Sequence, residues 1–451
     1  MRIKEIKIIG LFGMFDHVIP LNLDTHLSII YGINGVGKTT VFKMLECFFN
    51  VEDKLTRFAS LRDIEFQKLE ILFEDDTTYK CIKKNTDIAI SIRNEVKKIS
   101  AMSIFSCIRE EGKWLDVYFP FDETHISGLE KIDYDTFLDH SNNENMSLEQ
   151  VFDKYSHTTL EARNTWNAWH YLKQFPKEQI DIVESLHVYS IGVDRLTTLI
   201  KDTNSVGRTF IKRLNSVKHY SDDFSELIMT KQEEYAYLTE SLESSLGKRI
   251  LSREIKTNLD KDALKKIVFE VQKRRSELQK IGLIESLEED NLTIPDDLDS
   301  GTQAVLSVSF QDIQMKLKIF DELYEKLSLF LEILNERRFS FKQISVNQEE
   351  GFIIVNDNSV QINLAELSTG EQHELILLYL LLFKMPENSL ILIDEPETSL
   401  HIDWQAAFLE DMEDIIKLRK FDILISTHSP DIVNGRQELT IPLYGQKLQL
   451  Q

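Results

Sequence analysis

Gly32-Ile33-Asn34-Gly35-Val36-Gly37-Lys38-Thr39 lies between the apolar run Leu27-Ser28-Ile29-Ile30-Tyr31 and a stretch with helical spacing, Thr39 to Phe49. A strand running into a glycine-rich turn and then a helix is the context in which G-x-x-x-x-G-K-[ST] predicts a phosphate cradle. Glycines let the main chain curl so that its N–H groups converge on phosphate oxygens, and the helix presents its positive end to the same anion. Asn34, Gly35, Val36, Gly37, Lys38, Thr39 and Thr40 are therefore candidate nucleotide-binding residues. Lys38 is expected at the β- and γ-phosphates, and Thr39 at a Mg²⁺ ion.

A second apolar run, Leu390-Ile391-Leu392-Ile393, ends directly in Asp394 and Glu395. Burying unpaired charge is costly, so two carboxylates at the end of a buried strand require a partner, and magnesium supplies one. Asp394 is the candidate metal residue beside Thr39, and Glu395 the candidate that orients and polarises the attacking water. ATP and Mg²⁺ are the expected cofactors, with catalytic work assigned to Glu395, Lys38 and His428. His428 follows a third buried strand, Ile423-Leu424-Ile425-Ser426, whereas His17 and His26 read as structural.

The remaining chain is organised around these runs. Strand patterns occupy Ile3 to Ile9, Val18 to Leu23, Lys68 to Phe73 and Thr78 to Lys83, with Glu74-Asp75-Asp76 as a hairpin tip. Composition turns helical from about residue 145, interrupted by the strand-like Ser185 to Ile191. Apolar spacing predicts helices at Leu264 to Leu283 and Ile313 to Leu334, with Ser286 to Gly301 as the loop of a short helical hairpin. Strands return at Phe352 to Val355 and Val360 to Asn363, followed by helices at Gly370 to Phe383 and Trp404 to Leu418. The expected division is 1–144 and 344–451 as two parts of one α/β head, flanking a mostly helical insertion over 145–343.

The chain has 451 residues, 42% of them hydrophobic, and a formal net charge of −23. Such acidity opposes non-specific attraction to nucleic acid, which depends on clustered Lys and Arg. One stretch runs the other way: residues 248–275 carry ten Lys or Arg against four Asp or Glu. The longest apolar run, Leu375 to Phe383, is well short of the roughly 20 residues a spanning helix needs, so no membrane role is expected. Cys47, Cys81 and Cys107 match no metal or disulfide spacing and fit a cytoplasmic protein.

Leu367-Ser368-Thr369-Gly370-Glu371-Gln372 resembles the signature segment of the ABC ATPase superfamily, in particular its RecF, SMC and OLD-like branches. The resemblance implies that Ser368, Gly370 and Glu371 face, in trans, the γ-phosphate held by a second copy, so that ATP joins two subunits. Asp394 to His401 is similar to the extended Walker B segment and D-loop of these proteins, with Ser399, Leu400 and His401 in the D-loop. Ser426-Thr427-His428-Ser429-Pro430 is similar to their switch-histidine segment. Asp194 and Arg195 stand where related ATPases carry a glutamine-containing segment, so the usual sensor has no assigned residue.

Lys38 and Ser368 are 330 positions apart, about three times the separation that resemblance to transporter subunits would imply. Only 23 residues follow His428, too few for the TOPRIM nuclease of OLD proteins, and no nuclease constellation is expected elsewhere. The opening Leu11-Phe12-Gly13-Met14-Phe15-Asp16, with Ile19-Pro20-Leu21-Asn22, resembles a group of compact bacterial ATPases encoded beside toxic effectors, as in the PARIS, Septu and retron anti-phage systems. That resemblance implies an oligomer built on ATP-dependent dimers, which holds a separate nuclease-like effector inactive until a phage-encoded trigger protein is recognised. The alternative expectation is a RecF-like genome-maintenance ATPase that contacts DNA directly.

Overall fold

The structure, a computed structural model, describes residues 1–49, 61, 64–84, 90–92, 95–97, 100–108, 111–119, 129–131, 136–141, 144–147, 150, 186–192, 196–203, 209–251, 260–284, 294–295, 298–398 and 400–443. They belong to two compact units. The first comprises Met1–Val193, Asp202–Phe210 and Met385–Gln451, and the second Asp194–Lys201 and Ile211–Lys384.

In the first unit, strands β1 (Ile3–Leu11), β2 (Phe15–Pro20), β4 (Lys68–Phe73), β5 (Thr78–Lys84), β6 (Ser100–Ile108) and β7 (Glu111–Phe119) form an antiparallel sheet in the order β2-β1-β4-β5-β6-β7. Period-two alternation explains β4: Leu69, Ile71 and Phe73 are buried while the residues between them are partly exposed. Its turn to β5 is the acidic tip expected from sequence, with Asp76 in the left-handed region and the Thr77 N–H donating to Asp75 Oδ1 at 3.0 Å.

The second sheet of this unit contains β3 (Leu27–Tyr31), β8 (Val188–Ile191), β11 (Leu390–Asp394), β12 (Asp422–Thr427) and β13 (Thr440–Pro442), all parallel, in the order β8-β11-β12-β3-β13. All five residues of β11 are buried, as expected for a parallel strand covered on both faces. Helix α1 (Lys38–Phe49) ties the two sheets together. Phe48 packs edge-on against Tyr79 at 4.7 Å and Phe49 against Phe73 at 6.2 Å, in a core that also includes Leu392 and Leu424.

Two details secure the glycine turn after β3. A Cβ on Gly37, at φ +96°, would lie 2.5 Å from Leu11 Cδ2, so close packing against β1 requires glycine there. The buried His17 on β2 donates from Nε2 to Val36 O at 2.8 Å, while its ring stacks on Phe15.

In the second unit, helices α2 (Ser216–Leu251), α3 (Lys261–Lys280), α4 (Ser300–Leu317) and α5 (Asp321–Glu332) are followed by the hairpin of β9 (Lys342–Asn347) and β10 (Gly351–Asn356), then by α6 (Thr369–Tyr379). The two-helix arm expected from sequence is in fact built from three helices, since α4 packs against both α2 and α3. Its longest member, α2, has 36 residues, about 54 Å at 1.5 Å per residue. Helix α4 starts at Ser300, inside the expected loop, because Asp299 caps the Gly301 and Thr302 N–H groups. Strands Thr197–Thr203 and Thr209–Asn215 pair within the stretch read as helical, and 151–185 lies outside the described residues.

Residues 344–384, grouped with Walker B on sequence grounds, pack within the second unit. The reason is a shared core: Phe224 of α2 stacks on Phe352 of β10 at 5.0 Å and meets Phe383 at 5.1 Å, and Phe330 stacks on Phe352 at 5.2 Å. Gly351 permits the approach, since a Cβ there would fall 2.1 Å from Ser221 O. Tyr379 donates to Asp223; burial, reinforced by that carboxylate, raises its pKa and keeps the phenol protonated.

Buried Arg338 donates from Nε to Glu374 Oε1 at 2.8 Å, anchoring α6 from the side. Arg338→Ala should cost about 3–5 kcal/mol by stranding the Glu374 carboxylate, read as a lower urea midpoint for the second unit. An unfolding free energy within about 1 kcal/mol of wild type would contradict this anchoring. A second prediction concerns His17, whose pKa is lowered by burial, with the Val36 bond and Asp16 acting in the opposite direction. An imidazole more acidic in the folded chain leaves stability intact above about pH 6.5, the unfolded value, and reduces it as pH falls toward the folded value. His17→Gln should therefore flatten the acid side of the stability profile; an unchanged slope between about pH 5 and 7 would rule out that linkage.

Candidate nucleotide site

Parallel register sets the geometry. Tyr31 at the end of β3 pairs with Thr427, and Asp394 at the end of β11 pairs with Ser426, so the carboxyl ends of three adjacent strands coincide. Ligands of open α/β sheets bind at that edge. The phosphate loop, Asp394 and Glu395 at the end of β11 and the Thr427-His428 segment all emerge there.

Lys38 is buried, and its ammonium donates to Gly32 O at 2.9 Å, Ile33 O at 3.3 Å and Asn34 Oδ1 at 3.4 Å. Gly35 has φ +88°, and a Cβ there would meet nothing within 4 Å, so the rim of the loop is open. Val36 and Gly37 are buried beneath it. Thr39 is exposed and Thr40 partly so, at the first turn of α1, where N–H groups have no acceptor within the helix.

Thr39 Oγ1 donates to Asp394 Oδ2 at 2.8 Å, and Ser426 Oγ donates to Asp394 Oδ1. These are hard oxygen donors beside a phosphate loop, the kind of set that suits Mg²⁺ shared with phosphate. Glu46 on α1 adds a further carboxyl nearby. Burial raises its pKa, as does the charge of Asp394, against a bond to Ser190 and the Lys43 charge.

Glu395 leaves the strand with φ +41°, a left-handed conformation costing roughly 1–2 kcal/mol for a residue with a Cβ. Its N–H donates to Ser426 O at 2.9 Å, and its carbonyl accepts from the Thr398 N–H and hydroxyl at 3.2 and 2.9 Å. The bend places Oε1 3.8 Å from Lys38 Nζ and 3.7 Å from His428 Nδ1. Lys38, Thr39, Asp394, Glu395 and His428 are thus gathered at one edge of one unit.

Glu397 belongs to the same cluster and has no role in the sequence reading. It is buried on the turn Pro396–Thr398, and its Oε1 accepts from Thr427 Oγ1 at 2.7 Å and His428 N at 2.9 Å, with His428 Nδ1 at 3.0 Å. Its partners are thirty residues away in sequence, and no local spacing signals them. The D-loop residues lie further along: Leu400 is buried, and exposed His401 caps α7 (Ile402–Arg419) by accepting from Asp403 N at 3.4 Å. Ser399, Asp194 and Arg195 lie outside the described residues.

The signature residues belong to the second unit. Ser368 caps α6 with a reciprocal box: its Oγ accepts from Glu371 N at 3.3 Å, and Glu371 Oε2 accepts from Ser368 N and Oγ, both at 2.9 Å. Gly370 stands in the first turn. Burial would raise the Glu371 pKa, but Lys342 Nζ, 2.8 Å from both its oxygens, and the Ser368 donors hold it low. Its charge is therefore countered where the helix dipole favours an anion.

Among the described residues no helix is long and apolar enough to cross a membrane. Curated relatives match parts of the chain. Protein ea59 of Escherichia phage lambda is 32% identical over 115 residues, 25% of this chain and 22% of that protein. A probable iron chelatin transport ATP-binding protein of Helicobacter pylori is 33% identical over 86 residues, 19% of this chain and 32% of that protein. The chain thus spans less than a third of the length of either relative. Among solved structures, the Smc head domain of Pyrococcus furiosus, with an extended coiled coil and bound to the C-terminal domain of ScpA, aligns with 96% of this chain and 91% of its own at 12% identity and a TM-score of 0.34. The family AAA_15, described as an AAA ATPase domain, matches residues 1–433. With that match and a phosphate loop at the edge of a parallel sheet, the chain belongs to the AAA_15 family, described as an AAA ATPase domain, and has an α/β P-loop fold.

Proposed function

We propose that this ATPase works as a sensor and scaffold subunit in bacterial anti-phage defence, with ATP clamped between two copies and a separate toxic effector held until a phage protein is recognised. The observation that carries the catalytic part is the gathering of Lys38, Thr39, Asp394, Glu395 and His428 at one strand edge. Lys38 supplies positive charge to the β- and γ-phosphates, while Thr39 and Asp394 hold Mg²⁺. Glu395, aimed by its left-handed bend, orients water, and His428 faces the γ-phosphate. Mg²⁺, when bound, neutralises phosphate charge.

The capped α6 supplies the other half of the proposal. Ser368, Gly370 and Glu371 form a prepared anion-binding helix end, and Lys342 removes the repulsion that Glu371 would otherwise exert. In this reading the helix end meets the triphosphate held by the partner copy, and Ser399 to His401 line the contact between copies. Binding that occurs only in the assembled state couples nucleotide occupancy to subunit geometry. For the biological role, the support is the resemblance of residues 11–22 and a net charge of −23, which favours a protein partner over nucleic acid.

One observation favours the second reading, a RecF-like ATPase acting on DNA: Lys265, Lys266 and Lys273 stand exposed on α3. DNA affinity that falls steeply with salt, together with hydrolysis stimulated by duplex ends, would establish it in place of the first. A stable complex with a neighbouring nuclease-like protein, toxic only when the trigger is present, is the outcome the defence reading requires.

Lys38→Ala should abolish ATP binding by calorimetry. Glu395→Gln should keep ATP affinity within about threefold and lower kcat by at least about 100-fold, accumulating an ATP-bound dimer in light scattering. Equal loss of binding in both variants would contradict the assigned roles. Ser368→Arg should leave a folded monomer, weakened by no more than about 1 kcal/mol of lost cap, that no longer dimerises with ATP. Dimerisation at wild-type affinity would remove α6 from the interface.

A further inference from the structure

Gln405, in the first turn of α7, connects two segments of the nucleotide edge. Its Nε2 donates to Glu397 O at 3.4 Å and to Leu400 O at 3.3 Å, and its Oε1 accepts from Ser429 Oγ at 2.9 Å. Main-chain carbonyls only accept, so these two oxygens fix which end of the amide is the nitrogen. The buried Ser429 hydroxyl therefore directs its proton to Gln405, and it accepts in turn from the Asp431 N–H at 3.2 Å.

The two segments so joined have different tasks in the proposed site. Leu400 and His401 belong to the contact between copies, and Ser429 follows His428 directly. The main chain around His428 is held on both sides: its own N–H donates to Glu397 Oε1 at 2.9 Å, and the Ser429 N–H donates to Thr427 Oγ1 at 3.0 Å. The His428 side chain is 44% exposed, so packing does not direct it and the main chain from which it projects does.

We propose that Gln405 is a positioning residue that makes the placement of His428 follow that of Leu400 and His401, so that hydrolysis responds to the joining of two copies. The inference rests on the proposed placement of His428 at the γ-phosphate and of Leu400 and His401 between copies. A residue that merely built the start of α7 would need no bond to Ser429. The Gln405 N–H already donates to His401 O at 3.2 Å, and His401 supplies the cap. The bond to Ser429 spans 24 positions and reaches the residue beside the switch histidine, the logic by which an outer group orients a working one.

Full-length Gln405→Leu keeps the bulk and removes all three side-chain bonds, while Ser429→Ala cuts the same link from its other end. Gln405→Leu should lower kcat about 10-fold, with KM and the ATP concentration needed for dimerisation within about threefold. Ser429→Ala should give a similar fall, and the double variant no more than either alone. In a His428→Ala background Gln405→Leu should cause no further loss. Hydrogen exchange supplies a readout independent of turnover, in the Glu395→Gln background that retains ATP. There ATP should slow exchange in peptides carrying Leu400 and in those carrying Ser429, and adding Gln405→Leu should remove most of the slowing at Ser429 while leaving that at Leu400.

A wild-type kcat in Gln405→Leu, a fall that multiplies fully with that of His428→Ala, or undiminished slowing at Ser429 would each overturn the proposal. If Gln405→Leu does not fold, Ser429→Ala decides by the same three readings. A wild-type rate in His428→Ala, or a protein that stays monomeric with ATP, would defeat the site reading itself and the proposal with it.

Discussion

The parallel register of β3, β12 and β11 is the constraint on which the site depends. Pairing Tyr31 with Thr427 and Ser426 with Asp394 brings together segments from the two ends of a 451-residue chain. A slip of one residue would turn Asp394 to the opposite face of the sheet and part it from Thr39, since side chains alternate along a strand. The register is protected by the continuous burial of the strands: Ile29, Leu392 and Leu424 have no exposed surface, and each fits only one layer of the core.

At the edge so defined, acidic groups are concentrated. Asp394, Glu395 and Glu397 follow within four positions, and Glu46 faces the same region closely enough for Asp394 to raise its pKa. Each has identifiable partners: Asp394 accepts from two hydroxyls, Glu395 stands near an ammonium and an imidazole, and Glu397 accepts from a hydroxyl and a main-chain N–H beside the same imidazole. A site of this kind suits a divalent cation and a polyphosphate, which complete the charge balance together. The left-handed turn at Glu395 shows local backbone cost accepted where a side chain must leave the strand axis.

Much of this was legible in the sequence because the signals were local. Continuous apolar strands, the glycine loop and the paired carboxylates each announce themselves within eight residues, and their order along the chain identifies the edge where they meet. Helix α2 lies in a region that reads as helical, but its bounds were not legible: beyond its first third few side chains are fully buried, so no sustained apolar stripe marks it. The start of α4 was hidden in an acidic segment whose last acidic residue, Asp299, serves as a cap. Glu397 reads as one more acidic residue until the fold brings Thr427 and His428 to it. The grouping of residues 344–384 with α2 likewise depends on aromatic contacts between distant positions, such as Phe224 with Phe352.

The central claim is that each triphosphate is grasped by the phosphate loop of one copy and the α6 helix end of another. Mixing two inactive proteins tests this most directly, one carrying Lys38→Ala and the other Ser368→Arg. If the grasp occurs across copies, mixed dimers contain one intact composite site, and ATPase activity should reappear on mixing and saturate near equal proportions. If the mixture stays at the level of its two inactive components while the subunits demonstrably exchange, the two elements do not serve a shared nucleotide and the account fails.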